Sequence, residues 1–310
     1  MEKKGKISIV IPCYNEEGNV RKIYEAVIAQ LGSYDFQLLF VDDCSKDNTL
    51  SIMKELNKSD KRVDYISFSR NFGQISGLRA GLEYANGDCV ISLDADMQHP
   101  PELIPQMINK WEEGFEIVST LRKDVQNIAY FKKLTSALFY KVFNKLSDTH
   151  IKPGAADFRL LDRKIVEILI RDFNEYHYYL KGLVNWIGFN HAEIEYEVGE
   201  RFSGETKYSI TKLLNLAIDG ITSFSIKPLK LAILLGFSLS AFSAIYAIYA
   251  IYMALFTDET VRGWTSVLVS ILFIGGVNMI LLGIIGEYLG KLYIQSKNRP
   301  IFLIKETNIK

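Results

Sequence analysis

The first 120 residues alternate short apolar runs with stretches of helical periodicity. The apolar runs predict β-strands at 7–11, 36–41, 63–68, 89–93 and 117–120. Between them, apolar residues recur at spacings of three and four, which predicts amphipathic helices over 20–31, 50–56, 75–82 and 103–111. Strands that alternate with helices predict an α/β fold, in which a mostly parallel sheet carries helices on both faces.

Two later segments combine an apolar stripe with a lysine-rich polar side. They lie near 127–146 and 208–226. A basic amphipathic helix can lie in a membrane interface, and it can equally pack on a protein core. The sequence of these segments leaves both interpretations open, and the segments that follow favour the interfacial one.

Two long apolar segments, 229–256 and 264–290, each contain a single charged residue. Each exceeds the roughly 20 residues that cross a bilayer, so both are predicted transmembrane helices. Basic residues lie at the outer ends of this pair: Lys227 and Lys230 at the start of the first segment, and Lys291, Lys297 and Arg299 after the second. This bias of Lys and Arg predicts that those ends, and with them the first domain, lie in the cytoplasm. The predicted domains are 1–226, a two-helix membrane domain at 227–292 and a cytoplasmic tail at 293–310.

Composition narrows the range of functions. The 36 basic and 36 acidic residues cancel, so nothing favours a nucleic-acid partner. The three cysteines, Cys13, Cys44 and Cys89, share no metal-ligand spacing, and an odd number argues against a disulfide framework. The apolar run after the basic N-terminus stops at Pro12, which is too short for a signal peptide.

The segment 87–101 carries the strongest chemical signal. The strand at 89–93 runs into Asp94 and Asp96, with Gln98 two residues further on. Residues two apart share one face of a strand, so these three side chains converge if the extended geometry continues past the strand. Hard oxygen ligands of this kind suit Mg²⁺ or Mn²⁺, which commonly bridge to substrate phosphates.

Acidic residues also follow the other predicted parallel strands. Glu16 comes after the first strand and Asp42 after the second. No Gly-x-Gly-x-x-Gly sequence follows the first strand, which argues against a dinucleotide cofactor. A metal ion, or the donors of a nucleobase and ribose, would relieve the repulsion between these acids.

Six ordered motifs resemble one family. They are Ile-Pro-Cys-Tyr-Asn-Glu-Glu at 11–17, Val-Asp-Asp-Cys-Ser-Lys-Asp-Asn-Thr at 41–49, Ser-Arg-Asn-Phe-Gly-Gln at 69–74, Ser-Leu-Asp-Ala-Asp-Met-Gln-His-Pro-Pro at 92–101, Gly-Ala-Ala-Asp-Phe-Arg-Leu-Leu-Asp-Arg at 154–163 and Glu-Arg-Phe-Ser-Gly-Glu-Thr-Lys-Tyr at 200–208. The chain resembles family 2 glycosyltransferases of the GT-A fold, and within them the polyprenyl-phosphate glycosyltransferases, which include bactoprenol glucosyltransferases and dolichol-phosphate mannose synthases. The resemblance covers nearly the whole chain.

The resemblance implies a role for each site residue. Asp96 and Gln98 are the expected metal ligands, and Asp94 is expected at the ribose or in the water shell of the metal. The nucleotide-sugar pocket is expected to include Pro12, Tyr14, Glu16 and Asp42. Tyr14 is placed against the base, although core packing explains it equally well.

Two anionic substrates must meet in one cleft, so cationic side chains are required. Arg122, Arg201 and Lys207 are the expected phosphate-binding residues. Asp157 is the candidate base of the family. Because a phosphate monoester is mostly a dianion at neutral pH, Asp157 can instead orient the acceptor or hold sugar hydroxyls.

The resemblance implies an inverting enzyme that moves a sugar from a nucleotide diphosphate to a polyprenyl phosphate such as undecaprenyl phosphate. UDP-glucose is the favoured donor, and GDP-mannose and a UDP-pentose remain open. The expected location is the bacterial inner membrane, with the catalytic domain in the cytoplasm. Two spans under a large domain often associate, so a homo-oligomer is a further expectation. The alternative is a non-catalytic membrane assembly subunit.

Overall fold

A computed structural model describes residues 5–123, 154–176, 178–197, 221–222, 225–256 and 263–309. The amphipathic segment predicted near 127–146 lies outside the described residues, as does most of the segment near 208–226. Arg201 and Lys207 also lie outside them.

The described elements follow the predicted alternation. The strands are β1 (Ile7–Cys13), β2 (Phe36–Asp42), β3 (Val63–Phe68), β4 (Cys89–Ser92), β5 (Ile117–Lys123), β6 (Ala155–Asp162), β7 (His191–Glu197) and β8 (Ile304–Thr307). The helices are α1 (Val20–Leu31), α2 (Thr49–Ser59), α3 (Gln74–Tyr84), α4 (Ile104–Glu112), α5 (Arg163–Arg171), α6 (Leu180–Trp186), α7 (Lys227–Phe256) and α8 (Trp264–Ser296), with a 3-10 turn at Pro101–Leu103 before α4.

One mixed sheet holds the strands in the order β7-β5-β6-β4-β1-β2-β3-β8. Strands β4, β1, β2 and β3 run parallel to one another, while β6 and β8 are antiparallel to their neighbours. The five predicted strands and the predicted mostly parallel α/β sheet are confirmed. The chain leaves β1 toward β2 on one side and returns as β4 on the other, which makes the carboxyl ends of β1 and β4 the topological switch point where such sheets bind ligands.

Alternation along the central strands fills two cores. Ile9 belongs to the core that includes α1, α2 and α4 on one face, whereas Val10 belongs to the core that includes α3, α5 and α6 on the other. Successive side chains of a strand point to opposite faces, so an unbroken apolar strand buries both. Helix α3 lies so close to β1 that a Cβ added at Gly81 would come within 2.0 Å of Val10 Cγ1.

Helices α7 and α8 are long and apolar enough to cross a membrane. The qualifying segments are Lys227–Met253 and Val269–Ser296, and almost none of their described residues is buried within the protein. A core helix of a soluble protein would be mostly buried, and these two segments are not. The prediction of two apolar spans agrees with these helices.

The end of α8 contacts the sheet domain, and the residues after it join the sheet. Gln295 donates from Nε2 to the carbonyl oxygen of Asn174 and accepts from the backbone N–H of Tyr176, both at 2.8 Å. Strand β8 then pairs antiparallel with β3. The side chain of Asn308 extends this contact, because its Oδ1 accepts from the N–H of Tyr65 at 2.6 Å. Part of the predicted tail is therefore an edge strand.

Candidate active site

The segment after β4 turns instead of continuing as a strand. Ala95 and Asp96 form a turn, and Met97 has a positive φ of 62°. The condition for convergence of Asp94, Asp96 and Gln98 by strand alternation is therefore not met. The Asp96 carboxylate instead folds back on the turn, where its Oδ1 accepts from the backbone N–H of Gln98 at 3.1 Å.

Asp94 is held from two sides. Its Oδ1 accepts from Gln74 Nε2 at 2.7 Å, and its Oδ2 lies 3.1 Å from His99 Nε2. The His99 side chain is completely buried, whereas the Asp94 side chain remains 23% exposed. The carboxylate therefore has a fixed orientation and an open side from which a ligand can approach.

A chain of hydrogen bonds connects Asp94, at the end of β4, to strands β5 and β7, which pair with each other on the far side of β6. Arg122 Nε on β5 donates to the Tyr196 hydroxyl oxygen on β7 at 3.1 Å, and that hydroxyl lies 2.7 Å from His99 Nδ1. If the Tyr196 hydrogen points to Nδ1, the His99 ring proton sits on Nε2 and faces Asp94. Arg122 Nη2 also lies 3.4 Å from His99 Nε2, so this end of the imidazole is close to both the carboxylate and the guanidinium.

The same surroundings set the charge of Asp94. Burial alone would raise the pKa of this carboxyl, but the hydrogen bond and electrostatic attraction of His99, together with the positive charges of Lys181 and Arg122, outweigh it. The pKa of Asp94 therefore lies below its ordinary value. A carboxylate that is reliably ionised suits contacts with hydroxyl donors or a metal-bound water.

Asp157 lies beside β4, because β6 pairs antiparallel with it. Ser92 is opposite Arg159, and Ser92 Oγ donates to the carbonyl oxygen of Asp157. The Asp157 carboxylate lies 3.1 Å from Lys181 Nζ and 3.4 Å from Arg159 Nη2. Arg159 is buried, and burial lowers the pKa of its guanidinium.

Asp96 and Gln98 have the chemistry that a magnesium or manganese site needs. Both side chains are half-buried and offer oxygen atoms. In the described part of the chain no three His, Cys, Asp or Glu side chains form a metal cage. Mg²⁺ is often bound by one or two protein oxygens together with substrate phosphates and water, so this small donor set fits a site completed by the substrate.

The loops after β1 and β2 are joined into one rim. The N–H of Asn15 donates to Ser45 Oγ at 2.9 Å, and Asn15 Oδ1 accepts from the N–H of Lys46 at 2.8 Å. Pro12 is buried in β1, whereas Tyr14 is 36% exposed on this rim. The exposed position favours ligand contact over core packing for Tyr14.

Two further acids of this rim are engaged by the protein. Glu16 Oε2 accepts from Asn19 Nδ2 at 2.7 Å. Asp42 is 1% exposed and accepts from the N–H of Ser45 at 3.1 Å and from Ser67 Oγ at 2.8 Å. Asp42 thus shapes the loop after β2, and only its remaining lone pairs are available to a ligand.

The structure brings most of the predicted residues to one edge of the sheet. Asp94 and Arg122 are connected through His99 and Tyr196, and Asp157 lies on the strand next to β4. Sequence reasoning missed His99 and Tyr196 as partners, and it missed Lys181. The alternating polarity of residues 191–197 is the signal that could have identified β7 and therefore Tyr196.

Comparisons with known proteins agree with this architecture. Residues 8–169 match the model of glycosyl transferase family 2, and residues 227–292 match the GtrB C-terminal hairpin. The uncharacterized glycosyltransferase YkcC of Bacillus subtilis (strain 168) is 41% identical over 99% of this chain and 95% of its own length.

A named relative and a solved structure are also similar to this chain, the first in sequence and the second in structure. A bactoprenol glucosyl transferase of Shigella phage SfII is 41% identical over 98% of both chains. The crystal structure of mannosyl-3-phosphoglycerate synthase from Rubrobacter xylanophilus has a TM-score of 0.49 at 15% identity, over 84% of this chain and 79% of that one. The family matches and the extent of the 41% identity show that this chain is an enzyme of glycosyl transferase family 2.

Proposed function

We propose that the enzyme transfers glucose from UDP-glucose to a polyprenyl phosphate, with undecaprenyl phosphate as the expected acceptor. The observation that carries the proposal is similarity over nearly the whole chain, hairpin included, to proteins named bactoprenol glucosyl transferases. The donor follows the same resemblance, and GDP-mannose or a UDP-pentose would use the same site.

The donor's nucleoside is proposed to bind at the rim formed by the loops after β1 and β2. Tyr14 presents an exposed ring there, next to Pro12 and Glu16. Asp42 holds the rim in shape, and Asp94 presents an ionised, oriented carboxylate at the end of β4. The part of the rim that follows β1 adjoins the switch point between β1 and β4, which supports this assignment.

Asp96 and Gln98 are proposed to hold Mg²⁺ or Mn²⁺. When bound, such an ion supplies a Lewis acid that neutralises the charge developing on a nucleoside diphosphate leaving group. The turn at residues 95–98 orients the Asp96 carboxylate, because its Oδ1 accepts from the backbone N–H of Gln98.

The acceptor is proposed to meet the donor beside Asp157. A phosphate oxygen attacks the anomeric carbon from the face opposite the nucleotide, and the bond from that carbon to the diphosphate oxygen breaks, so the configuration inverts. Because the acceptor phosphate is largely a dianion at neutral pH, there is little proton for a base to remove. Asp157 is therefore proposed to orient the acceptor, with Arg122, Arg201 and Lys207 as phosphate-binding residues.

Membrane attachment is proposed to serve the lipid substrate. Helices α7 and α8 would cross the bilayer with the sheet domain on the cytoplasmic side of a bacterial inner membrane. Gln295 connects the end of α8 to residues 174–176, a few residues before α6. The active site would then lie near the level of the lipid phosphates. Association into a homo-oligomer remains part of the proposal.

A donor panel tests the function. Purified enzyme in undecaprenyl-phosphate nanodiscs is mixed with UDP-glucose, GDP-mannose or a UDP-pentose, with and without EDTA, and glycolipid formation is measured. We expect product with UDP-glucose and none after chelation. Product with another donor alone would correct the sugar, and full activity in EDTA would refute the metal site.

A further inference from the structure

The N-terminal turn of α6 places a lysine against Asp157. Lys181 Nζ lies 3.1 Å from Asp157 Oδ2, and its positive charge also helps to lower the pKa of Asp94. We propose that Lys181 binds the phosphate of the lipid acceptor and pairs with Asp157 when no acceptor is present. This inference rests on the proposed function and assigns a residue to its acceptor site.

The cations around Asp157 differ in what they can reach. Arg159 is 3% exposed and donates to the carbonyl oxygen of Ala156 at 2.9 Å, so its guanidinium is enclosed by the protein. Arg122 Nε donates to Tyr196. The Lys181 side chain is 28% exposed and carries three N–H donors on a flexible stem. Within the described residues at this edge, Lys181 is the cation best able to exchange a carboxylate for a phosphate.

The backbone beneath Lys181 is fixed. Leu180, Leu183 and Val184 of α6 are buried in the core that also covers β1 and β4. Only the charged end of Lys181 is therefore free to move when a ligand arrives. A cation on a rigid helix costs little ordering free energy when it binds, which suits a phosphate site.

The position of Lys181 favours the acceptor over the donor. In the sheet order, Asp157 on β6 lies on one side of β4, whereas the rim with Tyr14 and Asp42 lies on the other. Residues 174 and 176, shortly before α6, contact Gln295 at the end of α8. A lipid held in the same bilayer as α8 would thus present its phosphate on the Lys181 side.

Lys181→Met tests the inference, with Lys164→Met as the matched control. Lys164 also pairs with a carboxylate, at 3.3 Å from Glu116, but it lies near the opposite end of β4 and is 61% exposed. Both variants are reconstituted in nanodiscs, and KM is measured separately for undecaprenyl phosphate and UDP-glucose.

We expect Lys181→Met to raise KM for undecaprenyl phosphate about 10- to 100-fold, as for loss of a charge-assisted hydrogen bond. KM for UDP-glucose should stay within about twofold, and Lys164→Met should match the wild type. Lys181→Arg, which keeps the charge, should recover most of the acceptor affinity. A purely structural role would not separate the two KM values in this way.

Three other results would contradict the proposal or the function on which it rests, and they can be told apart. A rise in KM for UDP-glucose alone would show that Lys181 serves the donor diphosphate, and unchanged values for both substrates would exclude a phosphate role. If Lys181→Met does not fold, Lys181→Gln provides the same comparison without the charge. Absence of transfer by the wild-type enzyme with every donor would instead refute the proposed function.

Discussion

Replacing His99 with alanine should both loosen the fold and disorient Asp94. The substitution removes the contacts of His99 with Asp94 Oδ2 at 3.1 Å and with the Tyr196 hydroxyl at 2.7 Å. It also leaves a cavity beside Phe158, whose ring centroid lies 5.5 Å from that of His99. The change therefore tests whether this buried imidazole connects the end of β4 to β7.

The magnitude follows from the two hydrogen bonds that are lost. The Tyr196 hydroxyl keeps Arg122 and the Asp94 carboxylate keeps Gln74, so each group loses one partner, at about 1–3 kcal/mol for a buried position left unsatisfied. Asp94 is 23% exposed, so water can replace part of its lost contact, which places the sum near 2–4 kcal/mol. For a domain of this size, that loss lowers the melting temperature by about 5–15 °C.

Activity should fall as well, because a small displacement of a substrate-contacting carboxylate can cost about 100-fold in rate. We expect kcat for glucosyl transfer to fall by about that factor at a temperature where the variant is folded. The assays are thermal unfolding in detergent and transfer from UDP-glucose in nanodiscs.

Tyr196→Phe is the matched control, since it removes only the hydroxyl of the same chain of hydrogen bonds. It should cost about half as much stability, and the double variant should lose less than the sum of the two single losses. Additive losses, or wild-type stability and rate in His99→Ala, would refute the connection between β4 and β7.

Three further predictions concern other parts of the molecule. Folding lowers the pKa of Asp94, so its ionised form stabilises the fold above about pH 4, and this contribution disappears as the pH falls through the folded-state pKa. The difference in unfolding free energy between wild type and Asp94→Asn, measured by urea unfolding, should therefore become smaller in acid. A difference that stays constant with pH would contradict the assignment. Gly81→Ala should destabilise the sheet domain by at least about 1–3 kcal/mol in thermal unfolding, because its methyl group would meet Val10, whereas Gly32→Ala, with open space around it, should have a small effect. Removal of residues 303–310 should lower the melting temperature, because β3 loses its pairing with β8 and the cap from Asn308, and unchanged melting would show that this edge adds no stability.

The central part of the fold was predictable because its strands are almost entirely apolar. Strands β1 to β4 are short apolar runs separated by helical periodicity, and burial on both faces requires that composition. Strands β7 and β8 carry many polar residues and lie at the two ends of the sheet, so their sequences do not differ clearly from loops. Strand β6 contains Asp157 and Arg159, which interrupt its apolar pattern.

The candidate site was predictable only where its residues follow strands. Asp94 and Asp96 follow β4 directly, so the topology brings them to the ligand-binding edge. His99 is a single histidine whose partner, Tyr196, is 97 residues away in the chain. Lys181 is an ordinary helical lysine until β6 places Asp157 beside it. Long-range contacts of this kind depend on the arrangement of the antiparallel strands, which local sequence does not specify.

Single-turnover transfer of labelled glucose by Asp96→Asn tests the central claim most directly. The matched control is Asp88→Asn, an exposed carboxylate at the opposite end of β4 that accepts from the N–H of Lys6 at 2.7 Å. With UDP-glucose, undecaprenyl phosphate and Mg²⁺ or Mn²⁺, we predict rapid glycolipid formation by the wild type and Asp88→Asn. Asp96→Asn should be at least 100-fold slower while still inserting into the membrane. Transfer by Asp96→Asn at the wild-type rate would contradict a metal-dependent reaction at the end of β4.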